Sequence, residues 1–236
     1  MSREIATLYA KRWDRHYVLA KLRTDPVYQA LAETLRDSDL PLLDLGCGLG
    51  LLAFFLRGEG IRVPVHGLDY DPRKIDAARH AAARSGERDL TFGHHDARRG
   101  LPEHCGNVSI LDILQFFTPG EQQSLLVLAA SRLAPGGKLV IRSGIRDSSR
   151  RFKITVLGDL LARATFWMKA APIHYPTRED FRRVLGPFGP VEISPLWGGT
   201  PFNNHLIVLT RPSSNAADPD PQSLTAPPHA RGTSPS

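Results

Sequence analysis

The nine residues Leu42-Leu43-Asp44-Leu45-Gly46-Cys47-Gly48-Leu49-Gly50 constrain this chain more than any other stretch. An apolar run of strand length ends at an acid, three glycines alternate over five positions, and the apolar segment Leu51 to Leu56 continues as a helix. A strand that turns through glycines into a helix N-terminus presents backbone amides at the carboxyl edge of a sheet, where small residues let a ligand reach the main chain. A purely structural turn would use the same glycines. The spacing here is G-x-G-x-G with an acid two residues before the first glycine, not the G-x-G-x-x-G of dinucleotide sites. A buried acid at that point suits a ligand with a cationic amino group better than a pyrophosphate.

Beyond the glycine loop the chain alternates regularly between strand and helix signals. Runs of strand length occur at Pro41 to Leu45, Val63 to Leu68, Leu90 to Gly93, Val108 to Leu114, Lys138 to Arg142, Val191 to Ser194 and Leu206 to Thr210. Helical stretches separate most of them. Asp71-Pro72 is an N-cap followed by proline and opens a helix over Arg73 to Arg84. Thr118 to Glu121 is a capping box for a helix reaching about Leu133, and Thr177 with Asp180 starts another that stops at Gly186. Strands alternating with helices predict an α/β fold with a mostly parallel, doubly wound sheet. Residues 1–37 read as an N-terminal helical cap broken near Asp25-Pro26. Residues 38–211 form the main domain. Residues 212–236, with six prolines and Leu224 as the one apolar side chain besides alanines, read as a disordered tail. The segment Arg151 to Ala171, which includes Trp167 and Met168, has loose helical spacing and suits a covering helix, a substrate lid or an interfacial membrane helix.

Composition removes whole classes. Two cysteines among 236 residues, Cys47 and Cys105, with no C-x-x-C, argue against a disulfide framework or a zinc module. The start lacks a secretory apolar core, and Leu40 to Leu56 is too interrupted to span a membrane, so a cytoplasmic location is expected. The net charge of +6 is carried by 24 arginines and 6 lysines. It fits an anionic surface or an arginine-favouring composition with no functional face.

Two further acids extend the site. Asp69 ends the second strand, 23 residues after Gly46, where an acid accepts both hydroxyls of a ribose. Asp96 ends the third strand, in reach of an exocyclic amine of adenine. Acids at the ends of three successive strands match the donors and charges of S-adenosylmethionine. LLDLGCGLG, GLDYD, HHDAR, VSILDIL and LAPGGKLVIR together resemble the ordered motifs of class I S-adenosylmethionine-dependent methyltransferases, over about Leu40 to Ser143. That resemblance implies a Rossmann-like sheet of seven strands in the order 3-2-1-4-5-7-6, the last antiparallel. It assigns Asp44, Gly46, Cys47 and Gly48 to the glycine loop and the methionine moiety. It gives Asp69 and Tyr70 to the ribose side, Asp96 and Ala97 to the adenine, and Asp112 to the neighbourhood of the sulfonium.

KLRTDPVY, RSGIRDSSRRFK and TPFNNHLIV resemble a narrower group, the methyltransferases found with aryl polyene pigment biosynthesis, which modify an aromatic head group. There the fourth strand ends in D-x-L-H-Y; this chain has Asp112-Ile113-Leu114-Gln115-Phe116. Gln115 is no base at neutral pH, which leaves His174 and His205 as weak catalytic candidates beside it. His94 and His95 alternate to opposite faces of a strand, so no metal is expected.

DILQF lacks the (D/N)-P-P-(Y/F) platform of enzymes acting on bases or glutamine, and nucleic acid is not expected as a partner. A small acceptor is preferred, an aromatic or lipid-like biosynthetic intermediate, free or bound to an acyl carrier protein. Arg142 and Arg151 are weak substrate candidates. An accessory module that binds S-adenosylmethionine without catalysis, and a nucleic-acid or protein methyltransferase, are the alternatives. Without its acidic tail the body carries +7, concentrated on the N-terminal helix and on Arg142 to Lys153, both predicted over the carboxyl edge of the sheet. Peripheral membrane contact there is the third use of that charge.

Overall fold

The strand and helix signals resolve into seven strands and eight helices among the described residues. The computed structural model describes residues 1–164 and 174–213. The strands are β1 Leu42–Leu45, β2 Val65–Asp69, β3 Leu90–His94, β4 Asn107–Leu111, β5 Lys138–Gly144, β6 Val191–Pro195 and β7 Asn204–Thr210. They form one sheet in the order β3-β2-β1-β4-β5-β7-β6. β7 runs antiparallel to both β5 and β6, and the other pairings are parallel. The helices are α1 Ser2–Thr7, α2 Arg12–Thr24, α3 Val27–Leu35, α4 Leu51–Gly58, α5 Pro72–Ser85, α6 Pro119–Ser131, α7 Arg150–Ala164 and α8 Arg178–Leu185.

Local chemistry places the helix starts. Asp71 caps α5 by accepting from the Arg73 amide. Thr118 with Glu121 and Thr177 with Asp180 form complete capping boxes on α6 and α8. Strand alternation then divides the core. Leu42, Val65 and Val140 face α1 to α5, whereas Leu43, Leu45, Leu139 and Ile141 face α6 and α8. The N-terminal helices share the first of these cores through Ile5, Val18, Leu22, Leu31 and Leu35.

Three expectations change. The N-terminal stretch has a second break, at residues 8–11, where no proline or glycine signals it; Tyr9 is buried there and its hydroxyl donates to the Leu49 carbonyl at 2.7 Å. β4 stops at Leu111 rather than Leu114, because Asp112 takes φ 56 and Leu114–Phe116 form a 3-10 turn. The apolar run continues across a sharp change of direction. The helix expected over Arg151 to Ala171 is α7 as far as Ala164; Trp167, Met168 and the tail from residue 214 lie outside the described residues. No helix among the described residues is long and apolar enough to cross a membrane.

Asn107, 1% exposed, holds the N-terminal edge of the sheet together. Its side-chain amide donates to Ser38 Oγ and the Leu40 carbonyl, and its side-chain carbonyl accepts from the Lys138 amide at 2.9 Å. Asn107→Leu strands these partners and is expected to destabilise the fold by about 2–3 kcal/mol in urea unfolding.

Candidate active site

One cavity of about 700 Å³ opens at the carboxyl edge of the sheet, lined from β1, β2, β4 and β5, from the segment after β3, and from α2 and α3. Asp44, Gly46, Cys47, Gly48, Asp69, Tyr70, Asp96, Ala97, Asp112, Gln115 and Arg142 all line it. The sequence did not single out Asp25, Tyr28, Tyr175 or Phe202, which line it together with Lys21 of the basic N-terminal helix. Their signal lay in tertiary contacts alone.

The glycine loop has the conformation its composition allows. Gly46, Gly48 and Gly50 have φ of 77, 56 and 77°. A Cβ at Gly50 would meet the Phe92 ring at 2.7 Å, so packing of α4 on β3 requires glycine there. Gly48 faces open space, which leaves its backbone approachable. The loop is tied to β2: the Gly48 amide donates to Asp69 Oδ2 at 2.9 Å, and the Asp71 amide donates to Oδ1 at 2.8 Å. Each carboxylate oxygen keeps a lone pair for a ligand hydroxyl.

Asp44 is buried at 2% exposure. It sits between Ser109 on β4 and Gly67 on β2, and Ser109 Oγ donates to its Oδ1 at 2.7 Å. Burial pushes its carboxyl up to about 7, against the lowering effect of the Ser109 bond and with a further rise from Asp69. Among the described residues it forms no ion pair. Burial also pushes the Cys47 thiol up, so it stays protonated.

The other predicted residues divide. Asp96 caps the 3-10 turn Ala97–Arg99 and pairs with Arg98 at 3.2 Å. Arg142 is 4% exposed and is held between two acids: it bonds Asp25 at 2.5 Å and also Asp112. Burial would raise the Asp25 carboxyl, but Arg142 and then Lys21, 2.7 Å away, hold it below the ordinary carboxylate range. The two basic segments therefore do converge on this edge, in Lys21 and Arg142, and Asp25 sits between them. Arg151 lies outside the lining; it stacks on Trp197 and donates to the Thr200 carbonyl.

Neither histidine candidate lines the cavity. Asn204 does, and its neighbour His205 faces the other side of the sheet, where its ring bonds the Asn203 carbonyl and Arg178. Burial lowers its pKa. His174 contributes backbone: its amide donates to the Gln115 carbonyl, and its carbonyl accepts from Gln122. His94 and His95 bond the carbonyls of Tyr70 and Gly100.

Residues 42–137, which carry most of this edge, match the family model described as a methyltransferase domain. Over that stretch the chain is similar to methyltransferase domains. Ribosomal protein L11 methyltransferase of Paraburkholderia phytofirmans is 29% identical over 123 residues, 51% of this chain and 38% of that protein. The same enzyme of Burkholderia vietnamiensis is 31% identical over 104 residues, 44% of this chain and 31% of that protein. The chain thus spans well under half the length of these relatives. Among solved structures, the pyocyanin biosynthetic protein PhzM aligns with a TM-score of 0.59 at 22% identity, over 84% of this chain and 57% of that one. Magnesium protoporphyrin IX methyltransferase from Synechocystis, with S-adenosylhomocysteine bound, aligns at 0.60 and 17% over 86% and 88%. Both likenesses are of fold.

The residues present fit S-adenosylmethionine as a cofactor. A buried acid with no ion pair among the described residues, an approachable glycine backbone and acids at the ends of β2 and β3 are the complement of an ammonium, a ribose and an adenine. Arg142→Met should lower stability by about 3 kcal/mol, since it leaves Asp25 buried without its strongest partner. Because the Asp25 carboxyl is depressed in the fold, its contribution is present above the ordinary aspartate pKa and lost as pH falls through the folded value. Denaturant curves of wild type and variant are therefore expected to converge in strong acid.

Proposed function

We propose that this protein transfers the methyl group of S-adenosylmethionine to a small aromatic acceptor, free or on a carrier protein, as in aryl polyene head-group modification. The observation that carries the reading is the wall of rings around the cavity beyond β4: Tyr17, Tyr28, Phe116, Tyr175 and Phe202. Such walls favour a planar ligand through stacked and edge-to-face contacts. PhzM, by its title a pyocyanin biosynthetic protein, shares the fold over 84% of this chain. The likeness to L11 methyltransferases favours a protein acceptor instead, and the identity of the labelled product separates the two.

When bound, the cofactor supplies a methyl group on a sulfonium, whose sulfur leaves neutral. Asp44 would hold the ammonium of the methionine moiety, with Gly46, Cys47 and Gly48 beside it. Asp69 would accept from the ribose hydroxyls on the lone pairs left by the Gly48 and Asp71 amides, with Tyr70 next to it. Asp96 and Ala97 would take the adenine, and Asp112 would lie toward the sulfonium. Alignment of acceptor and methyl group then supplies most of the acceleration. Among the described residues the only histidine lining the cavity is His95, after β3, and its ring is bonded to the Gly100 carbonyl.

Incubation with methyl-labelled S-adenosylmethionine and extract of the source cell is expected to label a small-molecule or carrier-bound fraction. Asp69→Ala should weaken cofactor binding roughly 10- to 100-fold, the worth of hydrogen bonds to a charged group, and reduce labelling in step. Label appearing in a ribosomal protein would overturn the small-acceptor reading, and binding without any labelled product would favour the accessory module.

A further inference from the structure

Two adjacent asparagines at the entry to β7 have opposite surroundings. Asn203 is 1% exposed and tied in: its side-chain amide donates to the Ile145 carbonyl at 2.8 Å and to Asp147 Oδ2 at 2.9 Å, and its backbone amide donates to Thr155 Oγ1 at 2.7 Å. Asn204 is half-buried and lines the cavity, and its carboxamide bonds no described residue. Neither of its polar atoms belongs to the buried, partnerless ones, so Oδ1 and Nδ2 both stay accessible.

Strand register aims this side chain. Asn204 pairs with Gly144 of β5 across the antiparallel ladder, and directly opposed residues put their side chains on one face. A Cβ at Gly144 would meet the Tyr175 ring at 3.3 Å and Thr155 Cγ2 at 3.4 Å, and both of these residues line the cavity. The glycine leaves room beside the carboxamide. The backbone is held on either side: the Leu196 amide donates to the Asn204 carbonyl at 2.9 Å, and Asn203 is fastened to the segment after β5 and to α7. Asn204 is therefore presented to the cavity by bonds that leave its own side chain unused.

Its place relative to the proposed cofactor site follows from strand order. β7 lies beyond β5, on the opposite side of β1 from β2 and β3. It is two strands from β4, about 10 Å at ordinary strand spacing, and in the proposed reading the methyl group is delivered toward Asp112, just after β4. That separation is too long for one acceptor group to serve both places and is of the order of a substituted pair of fused rings. The charged side chains of this region are already paired, Arg142 with Asp25 and Asp112, and Lys21 with Asp25.

We infer that Asn204 sets acceptor specificity by hydrogen-bonding a polar substituent at the end of the ring system remote from the methylated atom. The inference rests on the proposed methyltransferase reading and deepens it. A carboxamide both donates and accepts, so the substituent is a hydroxyl, an ether or carbonyl oxygen, or an amide. A ring without it covers the two polar atoms of Asn204 and leaves them unpaired, which weakens its binding. The acceptor class is a bifunctional arene, with one group that receives the methyl and a second that the reaction leaves untouched. Substrate and product keep the second group alike, so the contact contributes to affinity and not to the rate of the methyl-transfer step.

The test titrates the full chain, saturated with S-adenosylhomocysteine, with naphthalene, 2-naphthol and 2-methoxynaphthalene, and reads affinity by fluorescence. Asn204→Leu should lower the ratio of 2-naphthol to naphthalene affinity at least about fivefold, the worth of one hydrogen bond, and leave the melting temperature close to that of wild type, since the side chain holds no protein partner. Asn204→Asp keeps the shape and an accepting oxygen but has no N–H. It should retain the preference for 2-naphthol, which donates, and lose that for 2-methoxynaphthalene, which only accepts. An unchanged ratio in Asn204→Leu, equal losses for the two ligands in Asn204→Asp, or no binding of any probe overturns the inference. Calorimetric binding of S-adenosylhomocysteine, measured first, keeps the two readings apart: its absence overturns the methyltransferase reading and this inference with it, and its presence with unmoved ratios sinks only the role of Asn204.

Discussion

The hydrogen bond from Ser109 to Asp44 sits at the centre of this molecule's chemistry, because it holds a carboxyl in the middle of the sheet where no cation among the described residues neutralises it. Strand order makes the arrangement possible. β4 lies next to β1 and puts Ser109 in register with Asp44, while β2 on the other side offers Gly67 and no side chain. The acid is left with one hydroxyl for company at the wall of the cavity. A buried acid held up near 7 costs stability, and a cationic ligand relieves that cost.

The glycine loop and Asp69 depend on the same edge. Once β1 ends, the chain turns through three positive-φ glycines, and the Gly48 amide finds Asp69 one strand away. The first two strands and their loop thus become one rigid unit before any ligand arrives. On the other side of β1 the Asp25–Arg142–Asp112 group does for the N-terminal helices what Asp69 does for the loop. It joins the elbow between α2 and α3 to the ends of β4 and β5, and that closes the cavity with Tyr17 and Tyr28.

Much of this was readable from short-range chemistry. Capping boxes at Thr118 and Thr177, the acid and proline at Asp71-Pro72, and the glycine loop are determined within a few residues, and the structure has each of them in place. The seven strand runs indicate the sheet, and the resemblance to methyltransferases indicates its order. What could not be read was set by distant partners. Arg142 reads as a weak substrate candidate at the head of a basic run, but its partner Asp25 is 117 residues away and holds it in a buried ion pair. The end of β4 was hidden because Ile110 to Leu114 is apolar apart from Asp112, and only the left-handed backbone at Asp112 marks the turn. His205 was a reasonable candidate by composition; alternation along β7 placed Asn204 at the cavity and His205 behind the sheet.

The central claim is that Asp44, raised by burial and still partly protonated at neutral pH, waits for a cationic ligand. Titration calorimetry of S-adenosylmethionine at pH 6 in two buffers of different ionisation enthalpy measures the protons exchanged on binding. With the free carboxyl at about 7, binding of the ammonium ionises it, so release of close to one proton per site is expected, with affinity that rises with pH up to about 7. Asp44→Asn should abolish the release. Binding with no proton release at pH 6, or an unchanged proton count in the variant, would contradict this role for Asp44.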